Sequence, residues 1–121
     1  MKKKILIVED EAISAMALEF TLERMGYEVS GIVDTGEEAI THSAKYKPDL
    51  VLMDTHLSTA MSGVQAANQI WRLEAIRAVF ISAYNATEMQ EAFCDAYPLL
   101  NLVKPVLDED LKRVFAQVFD E

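Results

Sequence analysis

Cysteine is almost absent: Cys94 is the only one in 121 residues. An internal disulfide is therefore excluded, and a reducing compartment with a passive packing role for Cys94 is the default. Basic residues are scarce too, with 11 Lys and Arg against 20 Asp and Glu and a formal charge of -9. Nucleic-acid binding relies on Lys and Arg to neutralise phosphates, so this balance argues against such a surface. It suits protein partners or a divalent cation. No apolar run approaches the ~20 residues that a membrane span requires. Lys2, Lys3 and Lys4 could head a signal peptide, but the apolar run behind them stops at Val8 and acids follow at once. They read instead as a solubilising lead-in to a first strand. Low-complexity tracts, linkers and internal repeats are also missing.

What is present is a chain that is 51% apolar, which excludes disorder, at the length of one ordinary domain spanning 1–121. Residues 5–8 are a β-rich apolar run ended by Glu9-Asp10-Glu11. From 12 to 25, Ile13, Met16, Ala17 and Phe20 recur at helical spacing, with Glu19 and Glu23 on a wetter side and Gly26 placed as a C-terminal cap. A second strand is predicted over 27–32. Thr35-x-x-Glu38 has the form of a capping box before a helix through about Tyr46, which Lys47-Pro48 ends.

Leu50-Val51-Leu52-Met53 fits a strand buried on both faces, and Asp54 comes where that run should surface. Val64, Ala67, Ile70 and Trp71 mark a third helix. Residues 78–81 form a fourth strand run ended by Ser82, residues 87–96 a further helix, and residues 99–103 a fifth strand ended by Lys104-Pro105. Leu107, Leu111, Val114, Phe115, Val118 and Phe119 line a last helix whose first turn is acidic. Five strands alternating with five helices predict a doubly wound parallel α/β sheet.

In such a sheet the strand ends share one edge, where the chemistry collects. Glu9, Asp10, Asp54, Ser82 and Lys104 should meet there. Taken singly, each has a plainer reading: Asp10 as a turn former, Ser82 as a cap, Lys104 as a solvated charge. Together, three converging carboxylates would repel unless a cation joined them. Magnesium, which takes oxygen ligands from one or two carboxylates and phosphate oxygens, fits the need. Asp10 and Asp54 are the expected direct ligands, with Glu9 direct or through a water. Asp54 is then the expected phosphoacceptor, Lys104 a second positive contact, and Ser82 a hydrogen-bond donor to the product.

This ordered set resembles the receiver domain of two-component response regulators along the whole chain. The acidic pair Glu9-Asp10, the acceptor Asp54, the hydroxyl Ser82 and the pair Lys104-Pro105 each match at successive strand ends. The resemblance implies a flavodoxin-like sheet of strand order 2-1-3-4-5. It also implies transfer to Asp54 from the phosphohistidine of a sensor histidine kinase or phosphotransfer protein, a downstream protein that reads the result, and a cytoplasmic location. The backbone carbonyl of His56 would complete the magnesium site, and the Lys104-Pro105 peptide would be cis. A monomer or a phosphorylation-dependent dimer is implied, acting as a stand-alone receiver or as one cut from a larger regulator.

Four departures from the family stand out. The loop from Asp54 to Gly63 is one residue longer, with Ser58 where a proline is common. Asn101 replaces a switch aromatic, and Tyr84 stands where relatives tune dephosphorylation, so Tyr84 is the expected substitute; the His56 imidazole either modulates the water that hydrolyses the aspartyl phosphate or, the favoured reading, covers the pocket. Asp95-Ala96-Tyr97-Pro98 replaces a small turn before the fifth strand. Two rivals are weaker. A haloacid-dehalogenase-like phosphatase would carry an Asp where His56 stands, and a dinucleotide site would need glycines where Glu9-Asp10-Glu11 stands.

Overall fold

Apolar runs of four or five residues become the strands, and they pair in parallel throughout. The computed structural model describes residues 2–57, 60–82 and 100–119, without the side chain of Leu100. The strands are β1 (Lys4–Val8), β2 (Glu28–Val33), β3 (Leu50–Asp54), β4 (Ala78–Ser82) and β5 (Leu100–Val103). Their order is β2-β1-β3-β4-β5, as expected for a doubly wound sheet. Four helices occur among the described residues: α1 (Ala12–Arg24), α2 (Gly36–Tyr46), α3 (Gly63–Glu74) and α4 (Asp108–Phe119). The helix expected at 87–96 lies outside them, as do Ser58, Tyr84, Cys94 and the turn at 95–98.

Side chains alternate across a strand, so the sheet divides the core in two. Ile5, Ile7, Leu50, Leu52, Val79, Ile81 and Leu102 face α1 and α4, where Leu22, Leu111 and Phe115 meet them. Leu6, Val8, Val51, Met53, Ala78 and Phe80 face α2 and α3, against Ala39, Ala67 and Ile70. Every residue of the central strand β3 is buried, Leu50 to Met53 completely. Unbroken apolar runs belong in such a doubly covered position.

The helix ends follow local chemistry. Thr35 Oγ1 accepts from the Glu38 N–H at 3.0 Å to open α2. Ser62 and Gln65 form a full reciprocal capping box at the start of α3. Gly26, just past α1, has φ 98°, a left-handed conformation that glycine adopts without strain.

One expectation about α1 is reversed. Ile13, Met16 and Phe20, the stripe read from spacing as its apolar face, are 81%, 64% and 63% exposed. The helix instead packs through Ala15 and Leu22, with Leu18 beside them. Leu107, expected on the buried side of the last helix, is 51% exposed and precedes α4, accepting from the Asp110 and Leu111 N–H groups.

Candidate functional site

The register of the sheet brings the strand ends together. Val8 lies beside Met53, which sets Glu9 next to Asp54. Asp54 pairs with Ile81, so Ser82 ends β4 one residue further on. Ser82 pairs with Val103, and Lys104 follows. The ladder runs one residue past two of these strands, with Glu9 N–H donating to Val33 O at 3.0 Å and Lys104 N–H to Ser82 O at 2.9 Å. Glu9, Asp54 and Lys104 therefore keep the parity of Ile7, Leu52 and Leu102, on the α1 and α4 side of the sheet.

Glu9, Asp10 and Asp54 each offer a carboxylate oxygen within 4.8 Å of the others. Glu9 and Asp54 are 5% and 3% exposed, whereas Asp10 is open to solvent. Lys104 Nζ donates to Asp54 Oδ2 at 3.3 Å, and the His56 backbone N–H donates to Asp54 Oδ1 at 2.9 Å. Burial above all, then the hydrogen bond and the charge of Asp54, push the Glu9 carboxyl up to about 7, although Lys104 opposes this. Two buried carboxylates beside a single amine are under-compensated, and a proton at Glu9 relieves part of the excess.

Ser82 is fully buried at the end of β4, and the Lys104-Pro105 peptide is cis, as expected. The His56 imidazole is exposed. Asn101 pairs with Phe80, and its buried Oδ1 has no hydrogen-bond partner among the described residues. A groove of about 490 Å³ opens beside the carboxylates, between α1 and the chain leading into α4. Glu9, Ser14, Leu18, Ile81, Lys104 and Val106 contribute to its walls. Arg24 and Asp108, 2.6 Å apart, join the last turn of α1 to the first turn of α4.

Two contributors were not singled out from sequence. Ser62-x-x-Gln65 was legible as a capping box and fixes where α3 begins. Gly63 carries no signal of its own. A Cβ there would lie 2.1 Å from the Asp54 carbonyl oxygen.

A doubly wound sheet with an acidic cluster and one lysine at its carboxyl edge defines the class of protein. The comparisons with known proteins give the family. The profile of the response regulator receiver domain matches residues 5–116. The transcriptional regulatory protein PdtaR of Mycobacterium tuberculosis is 35% identical over 109 residues, covering 90% of this chain and 53% of that protein. The chemotaxis protein CheY of Thermotoga maritima is 36% identical over 74 residues, 61% of each chain. Among solved structures, the signal receiver domain of a modulated diguanylate cyclase from Desulfovibrio desulfuricans superposes with a TM-score of 0.89 at 31% identity, covering 99% of this chain and 95% of that one. The response regulator PhyR of Brucella abortus gives 0.84 at 32% identity, covering 98% of this chain and 48% of its own.

The chain belongs to the response regulator receiver domain family, the signalling domains of two-component systems. It spans about half the length of PdtaR. Among the described residues no helix is long and apolar enough to cross a membrane.

Proposed function

We propose that residues 1–121 act as a single receiver domain in which Asp54 accepts a phosphoryl group from a phosphohistidine on a sensor histidine kinase or phosphotransfer protein. The observation that carries this is the trio of carboxylates within 4.8 Å, with Lys104 on Asp54. In the transfer an Asp54 carboxylate oxygen forms a bond to phosphorus as the phosphorus–nitrogen bond of the donor breaks. The electron pair stays on the departing imidazole, which takes up a proton. Lys104 supplies fixed positive charge next to the accepting carboxylate, and the His56 N–H orients it. Ser82 would donate to the phosphoryl oxygens of the product.

The donor set suits magnesium: hard oxygen ligands, an excess of negative charge, and a buried carboxyl that holds a proton near neutral pH without a cation. Asp10, Asp54, Glu9 and the His56 carbonyl would hold it. Bound there, magnesium would compensate the charge of the phosphoryl oxygens. Tyr84 takes over the coupling role of the aromatic replaced by Asn101, and the His56 ring covers the pocket from outside.

The exposed residues Ile13, Met16 and Phe20 of α1 suit an apolar contact with the phosphodonor. The downstream reader meets the acids Asp108 and Glu109 on α4 with basic contacts. A lone cysteine and a kinase partner fit a cytoplasmic location. Incubation with acetyl phosphate and magnesium, followed by intact mass measurement, tests the reading. One added phosphoryl group is expected. No labelling of the wild type, or labelling indifferent to removal of divalent metal, would overturn it.

A further inference from the structure

We infer that Gly63 is a positioning residue for Asp54: it lets the first turn of α3 rest against the Asp54 main chain and so fixes the direction of the accepting carboxylate. The inference rests on the reading of Asp54 as acceptor and adds a residue to its machinery. A Cβ at Gly63 would stand 2.1 Å from the Asp54 carbonyl oxygen and 3.0 Å from both the Asp54 carbonyl carbon and Met53 Cγ. The φ of Gly63 is not positive, so space and not backbone conformation demands glycine here. In place of a side chain, a Cα–H is turned toward that oxygen, a weak but geometrically specific contact.

The contact adds a hold on the Asp54 main chain. Its carboxylate is held at Oδ2 by Lys104 and at Oδ1 by the His56 N–H. Its strand is held by β1 and β4. The loop after β3, which supplies that N–H, starts at Thr55, held by the Ile81 carbonyl oxygen at 3.0 Å, and ends where the Gly63 N–H meets the Thr55 carbonyl oxygen at 3.5 Å. Gly63 thus closes the loop onto the residue that the loop orients. The Ser62 and Gln65 capping box sets the first turn of α3 on this contact.

Restoring an ordinary carbon–oxygen approach around an added methyl requires α3 and the end of β3 to part by about 1 Å. A misplacement of that size costs on the order of 100-fold where reacting groups must be aligned. Crowding at Gly36 provides the control. A Cβ there would meet Met61 Sδ at 3.0 Å and Ala66 Cβ at 3.1 Å, so its nearest neighbours belong to α3 and the chain before it.

The test compares wild type, Gly63→Ala, Gly36→Ala and Ser62→Ala. Each is checked for cooperative urea unfolding, then assayed for its maximal rate of acetyl phosphate labelling at saturating magnesium and for its half-saturating donor concentration. We expect Gly63→Ala to lower the maximal rate about 100-fold with little change in half-saturation, Ser62→Ala to lower it several-fold, and Gly36→Ala to leave it within about threefold of wild type. A folded Gly63→Ala that labels at the wild-type rate overturns the inference. So does a loss in Gly36→Ala as large as that in Gly63→Ala, since general packing would then explain both. If Gly63→Ala does not fold, Ser62→Ala decides: a folded Ser62→Ala labelling at the wild-type rate overturns the inference, and a several-fold slower one supports it. A wild type that takes no label sinks the reading of Asp54 itself and this inference with it.

Discussion

Lys104 Nζ sits 3.3 Å from Asp54 Oδ2, an ion pair in which the lysine side chain is 42% exposed and the aspartate only 4%. The anion is fixed in the sheet and the cation reaches it from a rim open to water. A pair so placed lets the lysine follow added charge while the carboxylate stays still. Asp54→Asn removes the proposed nucleophile and is expected to abolish labelling by acetyl phosphate. Lys104→Ala should weaken the structural response to phosphorylation more than the labelling itself. Mass spectrometry and amide chemical shifts separate the two effects. Persistent labelling in Asp54→Asn would refute the assignment.

Glu9 links the site to pH. The folded carboxyl titrates at about 7 and the unfolded one at its ordinary 4.5, so folding of the metal-free protein takes up a proton between these values. Stability from this group is fully present below pH 4.5 and is lost as pH rises through about 7. Glu9→Gln lacks the titration. The difference in unfolding free energy between wild type and Glu9→Gln, measured without metal, should move steadily against the wild type from about pH 5 to about pH 8. A flat difference counts against the buried carboxyl. Magnesium bound as proposed would compete with the same proton, so its apparent affinity should rise over that window.

The exposed stripe on α1 separates stability from recognition. Phe20→Ser and Ile13→Ser are expected to change unfolding free energy by no more than about 0.5 kcal/mol, as surface substitutions do. Leu22→Ala, on the buried side, should cost about 2–5 kcal/mol. Urea denaturation reads all three. The serine variants should also slow phosphotransfer from a histidine donor while leaving acetyl phosphate labelling unchanged. Loss of labelling from both donors would tie the stripe to folding instead.

Tyr84 is the proposed carrier of coupling beyond the site. Tyr84→Ala is expected to accept phosphate normally but to lose the amide shift changes that beryllofluoride induces far from Asp54. Long-range shifts equal to those of the wild type would reject that role.

Much of this architecture can be read before any coordinates, because short apolar runs that end in polar residues mark strands and their exits. Val8-Glu9, Met53-Asp54, Ile81-Ser82 and Val103-Lys104 are all such junctions, and the observed register makes them neighbours. In α1 the pattern misleads. Periodicity locates a stripe but not the side of the helix that meets the sheet, and α1 has apolar residues on both sides. Its contact is made by Ala15, small enough for close approach, and Leu22, while larger residues remain outside. The approach of Gly63 to Asp54 is equally invisible in one dimension, since a glycine beginning a helix reads as a turn until the atom in its way is known.

The complete burial of β3 sets the tempo at which the domain can reveal its centre. Amide hydrogens of Val51 and Leu52, with neighbouring strands on either side, are expected to exchange with solvent only when the whole domain opens. Their exchange rates gauge global stability, so the protein carries an internal clock that a modification next door on Asp54 shifts only by the free energy it adds to the fold.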